Sequence, residues 1–146
     1  IKIPGLDGSG KMGKSEGNCI YINDDDKTVI KKFKKAVTDM SPTEPNSEMN
    51  EPIQNLFYFL KLVSAPEIYD QFLAVWNDCS IRYGDLKMQI ANDVLKVTAP
   101  IRERYNEIYA DADYLNKVRE QGAEKARTFV RETLSQMREV MGFRKF

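Results

Sequence analysis

Apolar side chains recur at every third or fourth position over long parts of this chain, and that spacing limits what the chain can fold into. One long stripe begins near Asp85, and another begins after Asp111, whose carboxylate can cap a helix. Shorter stripes follow Asp24 and occupy residues 53–63 and 65–77. No alternating pattern longer than about four residues indicates a strand. The sequence therefore predicts an all-α fold with a bundle of about five helices.

The third predicted helix has a capping signal at its start. Ser64 and Glu67 follow the order of a capping box, in which the serine side chain accepts a hydrogen bond from a backbone N–H of the first turn. Pro66 suits that turn, because its missing N–H would have no partner within the helix. Trp76 lies on the apolar stripe of the same helix, and we expect it in the core rather than at a substrate site.

A loop rich in glycine and lysine precedes all of these helices. Residues 8–18 read Gly-Ser-Gly-Lys-Met-Gly-Lys-Ser-Glu-Gly-Asn, and we refer to them as the lysine loop. Glycines let backbone N–H groups turn inward around an anion, and lysines bring flexible positive charges to a phosphate. We therefore interpret the segment as a mobile loop that binds polyphosphate. An ordinary solvated surface loop is the alternative.

The same loop also matches a second phosphate-binding pattern. Gly8, Gly13, Lys14 and Ser15 satisfy the P-loop pattern G-x-x-x-x-G-K-[ST]. A P-loop follows a buried strand and opens directly into a helix. Here Pro4 interrupts the residues before the loop, and the residues after it do not begin a helix. The context therefore disfavours a P-loop.

Composition narrows the possible functions. Basic and acidic residues balance at 22 each, so no overall field favours nucleic acid. Acidic residues dominate positions 38–80, and we expect an RNA-binding surface to avoid that third of the chain. The absence of histidine excludes histidine-based nucleophile pairs and histidine metal ligands. The two cysteines, Cys19 and Cys79, are too few for a four-cysteine metal site, and no apolar run reaches the roughly 18 residues of a membrane span.

The segment Lys11-Met12-Gly13-Lys14-Ser15 resembles the Lys-Met-Ser-Lys-Ser loop of class I aminoacyl-tRNA synthetases, with Gly13 in place of the middle serine. Further matching blocks are residues 3–5, 16–18, 34–39, 100–105 and 122–127. Together these blocks resemble the bacterial-type tryptophanyl-tRNA synthetase family from its signature loop to its C-terminus. The tyrosyl-tRNA synthetases are the near relatives.

The resemblance implies a role for the loop in amino-acid activation, in which a carboxylate attacks the α-phosphorus of ATP and pyrophosphate leaves. Negative charge grows on the pyrophosphate in the transition state, and cations placed there lower the barrier. By this resemblance, Lys11 and Lys14 are the catalytic residues. ATP would be bound by Lys11, Met12, Gly13, Lys14 and Ser15. Mg²⁺ is expected on the ATP phosphates in the full-length enzyme, with no metal site formed by this chain.

The resemblance also divides the chain into two domains. Residues 1–23 would be a remnant of the catalytic nucleotide-binding domain that carries the loop, and residues 24–146 would be a helical domain of the anticodon-binding type. The candidate tRNA contacts, chosen by charge and by their place in the matching blocks, are Arg82, Lys87, Arg102 and Arg104. For each of them, a solvated surface position or a local ion pair is the alternative.

The function implied is that of a tryptophan–tRNA ligase, which makes tryptophanyl-adenylate from tryptophan and ATP and transfers it to tRNA. A tyrosyl-tRNA synthetase is one alternative, and a helical RNA-binding domain without a catalytic role is another. The chain lacks the nucleotide-binding sheet and the amino-acid pocket of such an enzyme, so we expect it to be inactive alone. For the full-length enzyme we expect a cytoplasmic homodimer that does not bind membranes.

Overall fold

The structure is a computed structural model that describes residues 2–143; Ile1 and residues 144–146, which the predicted domains include, lie outside the described part. The described residues form five α-helices and no strand. The helices are α1 (Asp26–Lys35), α2 (Glu51–Val63), α3 (Pro66–Asn77), α4 (Tyr83–Ala110) and α5 (Ala112–Val140). The predicted all-α fold is confirmed.

The chain divides into two compact units, Ile1–Glu103 and Arg104–Phe146. The first unit contains the lysine loop, α1 to α3 and most of α4, and the second contains the end of α4 together with α5. None of the described residues of α5 is buried, and Phe129 on its apolar stripe is 76% exposed. The domain boundary after residue 23 rests on the family resemblance and stays a prediction.

The core of the first unit joins the helices to the segment that carries the lysine loop. The largest fully buried side chains come from α1, α2 and α4, and they are Phe33, Ile53, Leu60, Leu86, Ile90 and Val29. Leu6, just before the loop, belongs to the same cluster, and its carbonyl oxygen accepts a 2.8 Å hydrogen bond from the Val37 N–H. The loop is therefore attached to the helices by burial of its own segment.

Aspartate side chains cap α1 and α5, and the cap of α5 by Asp111 was predicted. Asp25 precedes α1 and accepts a 2.7 Å hydrogen bond from the Thr28 N–H. Asp111 does the same for α5, accepting from the Tyr114 N–H at 2.8 Å. Trp76 is 3% exposed, and its indole N–H donates to a backbone carbonyl oxygen, which confirms its expected place in the core.

The predicted capping box of α3 is wrong. The N-cap residue is Ala65, which has no side-chain capping bond. The Ser64 hydroxyl instead donates a 2.6 Å hydrogen bond to Asp93 Oδ2 on α4. The Ser64 N–H donates to the Leu60 carbonyl oxygen at the C-terminal end of α2. A hydroxyl forms a stronger hydrogen bond when it donates to an ionised carboxylate than when it accepts from a neutral backbone N–H. The Ser64 hydroxyl therefore faces Asp93.

Asp93 is the buried centre of a polar cluster between the end of α2 and α4. Its side chain is 7% exposed and accepts hydrogen bonds from Ser64 Oγ, from Gln89 Nε2 at 2.7 Å and from Lys96 Nζ at 2.7 Å. Burial alone raises the pKa of Asp93, but the bonds from Lys96, Ser64 and Gln89 outweigh burial and hold the pKa below its ordinary value. Asp93 therefore stabilises the fold in its ionised form.

We expect Ser64→Ala to lower the free energy of unfolding by about 1.5 kcal/mol, because a buried carboxylate loses one of its three donors. The loss is measured by urea unfolding at neutral pH. A carboxyl whose folded pKa is depressed contributes stability above its unfolded pKa, and that contribution disappears as the pH falls through the folded pKa. The difference between Ser64→Ala and the parent should therefore shrink on acidification; a difference that grows towards low pH would contradict this account.

We expect Thr98→Val on α4 to raise the free energy of unfolding by about 1 kcal/mol. Among the described residues, Thr98 Oγ1 is a buried side-chain oxygen that has no hydrogen-bond partner. Valine keeps the side-chain shape and removes a hydroxyl whose burial without a hydrogen-bond partner costs free energy. The same urea unfolding assay tests the change, and a loss of stability would show that the hydroxyl has a partner.

Candidate phosphate-binding site

The lysine loop folds back onto the chain that leads into it. The Met12 N–H donates to the Ile3 carbonyl oxygen at 2.8 Å, and the Leu6 N–H donates to the Asn18 carbonyl oxygen at 3.0 Å. Gly8 lies where the chain reverses, with φ at 85°, a conformation that favours glycine. These bonds place the lysines of the loop beside the residues that precede Pro4 in sequence.

Asn18 lies inside the loop and is 5% exposed. Its Nδ2 lies within hydrogen-bonding distance of Asp7 Oδ1 at 3.0 Å, Ser9 Oγ at 3.1 Å and the Lys11 carbonyl oxygen at 3.1 Å. Its Oδ1 accepts a 2.8 Å hydrogen bond from the Gly13 N–H. One buried amide therefore connects the start, the middle and the end of the loop.

Asp7 supplies the negative charge in this cluster. Its Oδ1 accepts hydrogen bonds from the Ser9 hydroxyl at 2.6 Å and from the Ser9 N–H at 3.0 Å, in addition to the bond from Asn18. The bond from the Ser9 side chain, followed by that from Asn18, holds the pKa of Asp7 below its ordinary value. Asp7 therefore stays ionised, and its acceptor role is lost only as the pH falls through that lowered pKa.

The lysines of the loop line an open cavity of about 470 Å³. Its lining residues are Lys2, Ile3, Lys11, Met12, Lys14, Cys19, Ile20 and Tyr21, and we refer to it as the lysine cavity. The lining includes three lysines and no carboxylate. Within residues 2–143, none of these three lysines forms an ion pair with a carboxylate. Three cations without an internal partner form a site that attracts a polyanion.

The structure brings most of the predicted ATP-binding residues to this cavity. Lys11, Met12 and Lys14 line it, and Met12 also packs against the hydrophobic core. Gly13 and Ser15 are not among its lining residues. The Gly13 N–H donates to Asn18, and the Ser15 hydroxyl lies 3.4 Å from Glu16 Oε1. The predicted roles of these five residues in binding ATP stay predictions.

Sequence reasoning missed Lys2 and the role of Asn18. Lys2 stands outside the loop motif, and the folding back of the loop, with the backbone bond from Met12 to Ile3, brings it to the same cavity as Lys11 and Lys14. Asn18 ends the motif, but its burial depends on how the loop closes. No periodicity marks either position, because both depend on the pairing of two irregular segments.

The candidate tRNA contacts occupy separate places. Arg82 is exposed, and Lys87 is half-buried with Nζ 3.4 Å from a threonine hydroxyl; burial lowers the pKa of Lys87. Arg102 donates to the Asp24 carbonyl oxygen at 2.8 Å and pairs with Asp26 at 2.5 Å. The helical rise places Lys87 and Arg102 roughly 22 Å apart along α4.

In the second unit, the predicted tRNA contact Arg104 pairs with Glu107 at 2.8 Å, one turn along α4. Both side chains are largely exposed, so the pair adds little to stability. An exposed pair of this kind leaves the guanidinium accessible to solvent.

Within residues 2–143, no group of three or more His, Cys, Asp or Glu side chains is arranged to hold a metal ion. None of the described helices is both long and apolar enough to cross a bilayer.

Comparison with known proteins decides the family. The family model described as class I tRNA synthetases for tryptophan and tyrosine matches residues 2–99. The chain belongs to this family. The resemblance that rests on the lysine loop and the C-terminal blocks is thereby confirmed.

Relatives in this family point towards the tryptophan branch. The tryptophan–tRNA ligase of Porphyromonas gingivalis is 56% identical over 144 residues, which cover 99% of this chain and 44% of that protein. The tryptophan–tRNA ligase of Neisseria meningitidis is 36% identical over 97% of this chain and 41% of its own length. The chain thus spans less than half the length of the curated relatives that it matches, and it corresponds to a C-terminal piece of them.

A solved structure has the same fold. The crystal structure of tryptophanyl-tRNA synthetase from Campylobacter jejuni, complexed with ADP and tryptophan, superposes with a TM-score of 0.79 at 27% sequence identity. The match covers 98% of this chain and 44% of that chain. The fold is therefore shared with a member of the family, and the tyrosine alternative has less support.

We expect Gly13→Ser, which would restore the family's middle serine, to change the free energy of unfolding by less than about 1 kcal/mol. An added Cβ would meet Glu16 Cγ at 2.9 Å, and that exposed side chain can move away. Gly17→Ser is the matched control. Its φ of 69° favours glycine, so we expect it to cost about 1–2 kcal/mol. Equal losses for the two variants in urea unfolding would contradict the prediction for Gly13.

Proposed function

We propose that this chain is the ATP-loop and tRNA-binding part of a tryptophan–tRNA ligase. The observation that carries the proposal is the lysine cavity, where Lys2, Lys11 and Lys14 meet without a carboxylate. The names of the relatives, of which the first is 56% identical, support tryptophan as the amino acid. A family model that covers both tryptophan and tyrosine enzymes leaves the tyrosine enzyme as the second candidate.

The cavity suits the charge that develops during amino-acid activation. As the tryptophan carboxylate attacks the α-phosphorus of ATP, the bond from that phosphorus to the bridging oxygen breaks and its electrons go to pyrophosphate. Lys14 and Lys11 would stabilise this charge more in the transition state than in the ground state, which lowers the barrier. Met12, packed against the core, would keep Lys11 and Lys14 close to the phosphates.

ATP is the expected substrate of this site, and it would arrive as its magnesium complex. The phosphate oxygens would hold Mg²⁺, because the lining of the lysine cavity provides cations and apolar groups rather than carboxylates. Gly13 and Ser15 would contribute to ATP binding through backbone N–H groups after a movement of the loop. Glycines allow such a movement between open and closed states.

The helical part would bind tRNA, with Arg82, Lys87, Arg102 and Arg104 as the candidate contacts. Residues 24–146 would then form the anticodon-binding domain, and residues 1–23 would belong to the catalytic domain. Arg82 is exposed and Arg104 lies in an exposed pair, so both are accessible to a phosphate. For the longer protein we propose a homodimer in the cytoplasm, where tRNA is charged.

A hybrid enzyme tests the proposal, with this chain in place of the matching 144 residues of the Porphyromonas gingivalis ligase. We expect Lys14→Ala to lower the rate of tryptophan-dependent exchange between pyrophosphate and ATP by about 10²–10³-fold, the effect of losing one group that stabilises developing charge. The KM for tryptophan should change little, because the loss is confined to the phosphates.

The matched control is Lys31→Ala, an exposed lysine of α1 that lies outside the lysine cavity. We expect it to keep the full exchange rate. The isolated 146-residue chain should show no exchange. An equal loss in Lys14→Ala and Lys31→Ala, or exchange by the isolated chain, would overturn the proposal. Preference of the hybrid for tyrosine would favour the second candidate.

A further inference from the structure

We propose that Asn18 is the positioning residue that holds Lys11 and Lys14 in register for the phosphates of ATP. The proposal rests on the proposed function and adds a residue that contacts no substrate. Asn18 bonds the Lys11 carbonyl oxygen and the Gly13 N–H, the two peptide groups on either side of Met12. Fixing both groups fixes the direction of the chain through the middle of the lysine loop.

Only an amide of this length has the required groups. Asn18 offers two N–H hydrogens to three acceptors and one carbonyl oxygen to the Gly13 N–H. An aspartate would offer no donor and would place a second carboxylate against Asp7. A leucine of similar size would leave the peptide groups of Lys11 and Gly13 without partners. Since Asn18 is 5% exposed, water cannot readily replace these bonds.

Gly5 gives a second indication that the sequence is suited to this cluster. A Cβ at Gly5 would overlap with Asn18 Nδ2 and Asp7 Oδ1, and it would lie 2.6 Å from Ser9 Oγ. The backbone of Gly5 therefore closes the cluster from one side, and the Cβ of any other residue type would collide with the cluster. Gly5→Ala disturbs the same cluster without changing any of its hydrogen-bonding groups.

The cluster also explains how the loop keeps its shape without the family's middle serine. Gly13 has no side chain to hold the loop, but its N–H is anchored to Asn18 Oδ1. Charge stabilisation by lysines is effective when their positions are set before the reaction begins. Release of Lys11 and Gly13 from Asn18 would leave both lysines present but no longer held beside the phosphates.

The test uses the hybrid enzyme and the variant Asn18→Asp. We expect kcat/KM for ATP in pyrophosphate exchange to fall by about 10²-fold, the effect of a misplacement of about 1 Å. The KM for tryptophan should stay within about twofold, since the proposed loss is confined to the phosphates. Asn92→Asp, the same substitution at an exposed position of α4, is the matched control and should retain the parent kcat/KM.

Exchanging the two groups separates charge repulsion from the loss of the donor. Asp7→Asn together with Asn18→Asp removes the second carboxylate but supplies no donor at residue 18 for the Lys11 carbonyl oxygen, so we expect kcat/KM for ATP to stay low. A residue with a merely structural role would lower the parameters for ATP and tryptophan together, and such parallel losses would overturn the proposal. Recovery of the parent kcat/KM in the double variant would overturn it as well, because the loss would then come from repulsion between carboxylates and not from the missing donor.

Lys14→Ala, measured in parallel, separates the two proposals. A loss in Lys14→Ala without a loss in Asn18→Asp overturns the role of Asn18 alone, whereas no loss in Lys14→Ala overturns the proposed function.

If Asn18→Asp does not fold, hydrogen exchange of the unaltered hybrid decides whether Asn18 holds Gly13. The Gly13 N–H should exchange at least about tenfold more slowly than its intrinsic rate, because it is bonded to a buried oxygen. Exchange at the intrinsic rate would overturn the proposal.

Discussion

Burial of apolar side chains from the loop segment against the helices is the interaction on which the site depends. Leu6 is part of the core, and Met12 packs against it. The Asn55 amide on α2 reaches back to the Gly8 carbonyl oxygen at 3.0 Å, so the attachment has polar as well as apolar parts. The segment's own hydrogen bonds fix its local shape, and its contacts with the rigid helices give it a defined path over them. The lysine cavity is lined by residues of this segment and by the stretch from Cys19 to Tyr21 that follows the loop.

Two kinds of cation occur in the first unit, and they have different roles. Arg102 and Lys32 are partly buried and pair with aspartates near the start of α1. Lys11 and Lys14 are exposed and line a cavity that offers them no carboxylate. Paired charges fix one element against another, whereas cations without partners keep their potential available to a ligand. The same residue type thus stabilises the fold in one place and prepares a site in another.

Periodicity allowed the helices to be predicted, because each one carries an apolar stripe, although no described residue of the stripe on α5 is buried. Asp111 was also predictable as a cap, since a cap acts within three residues of its own position. Ser64 was misread because its partner, Asp93, lies 29 residues away and outcompetes the local N–H. The loop lysines could be identified from a motif. Lys2 could not, since its place depends on a turn that no sequence period describes.

Arg102 contacts the start of α1 with both terminal nitrogens, on the Asp24 carbonyl oxygen and on Asp26. An RNA phosphate that reached this guanidinium would displace a carboxylate instead of filling an empty place. Trading one anion for another changes the total free energy little, so Arg102 would add little to affinity. It would instead couple the arrival of RNA to the release of Asp26, the first residue of α1.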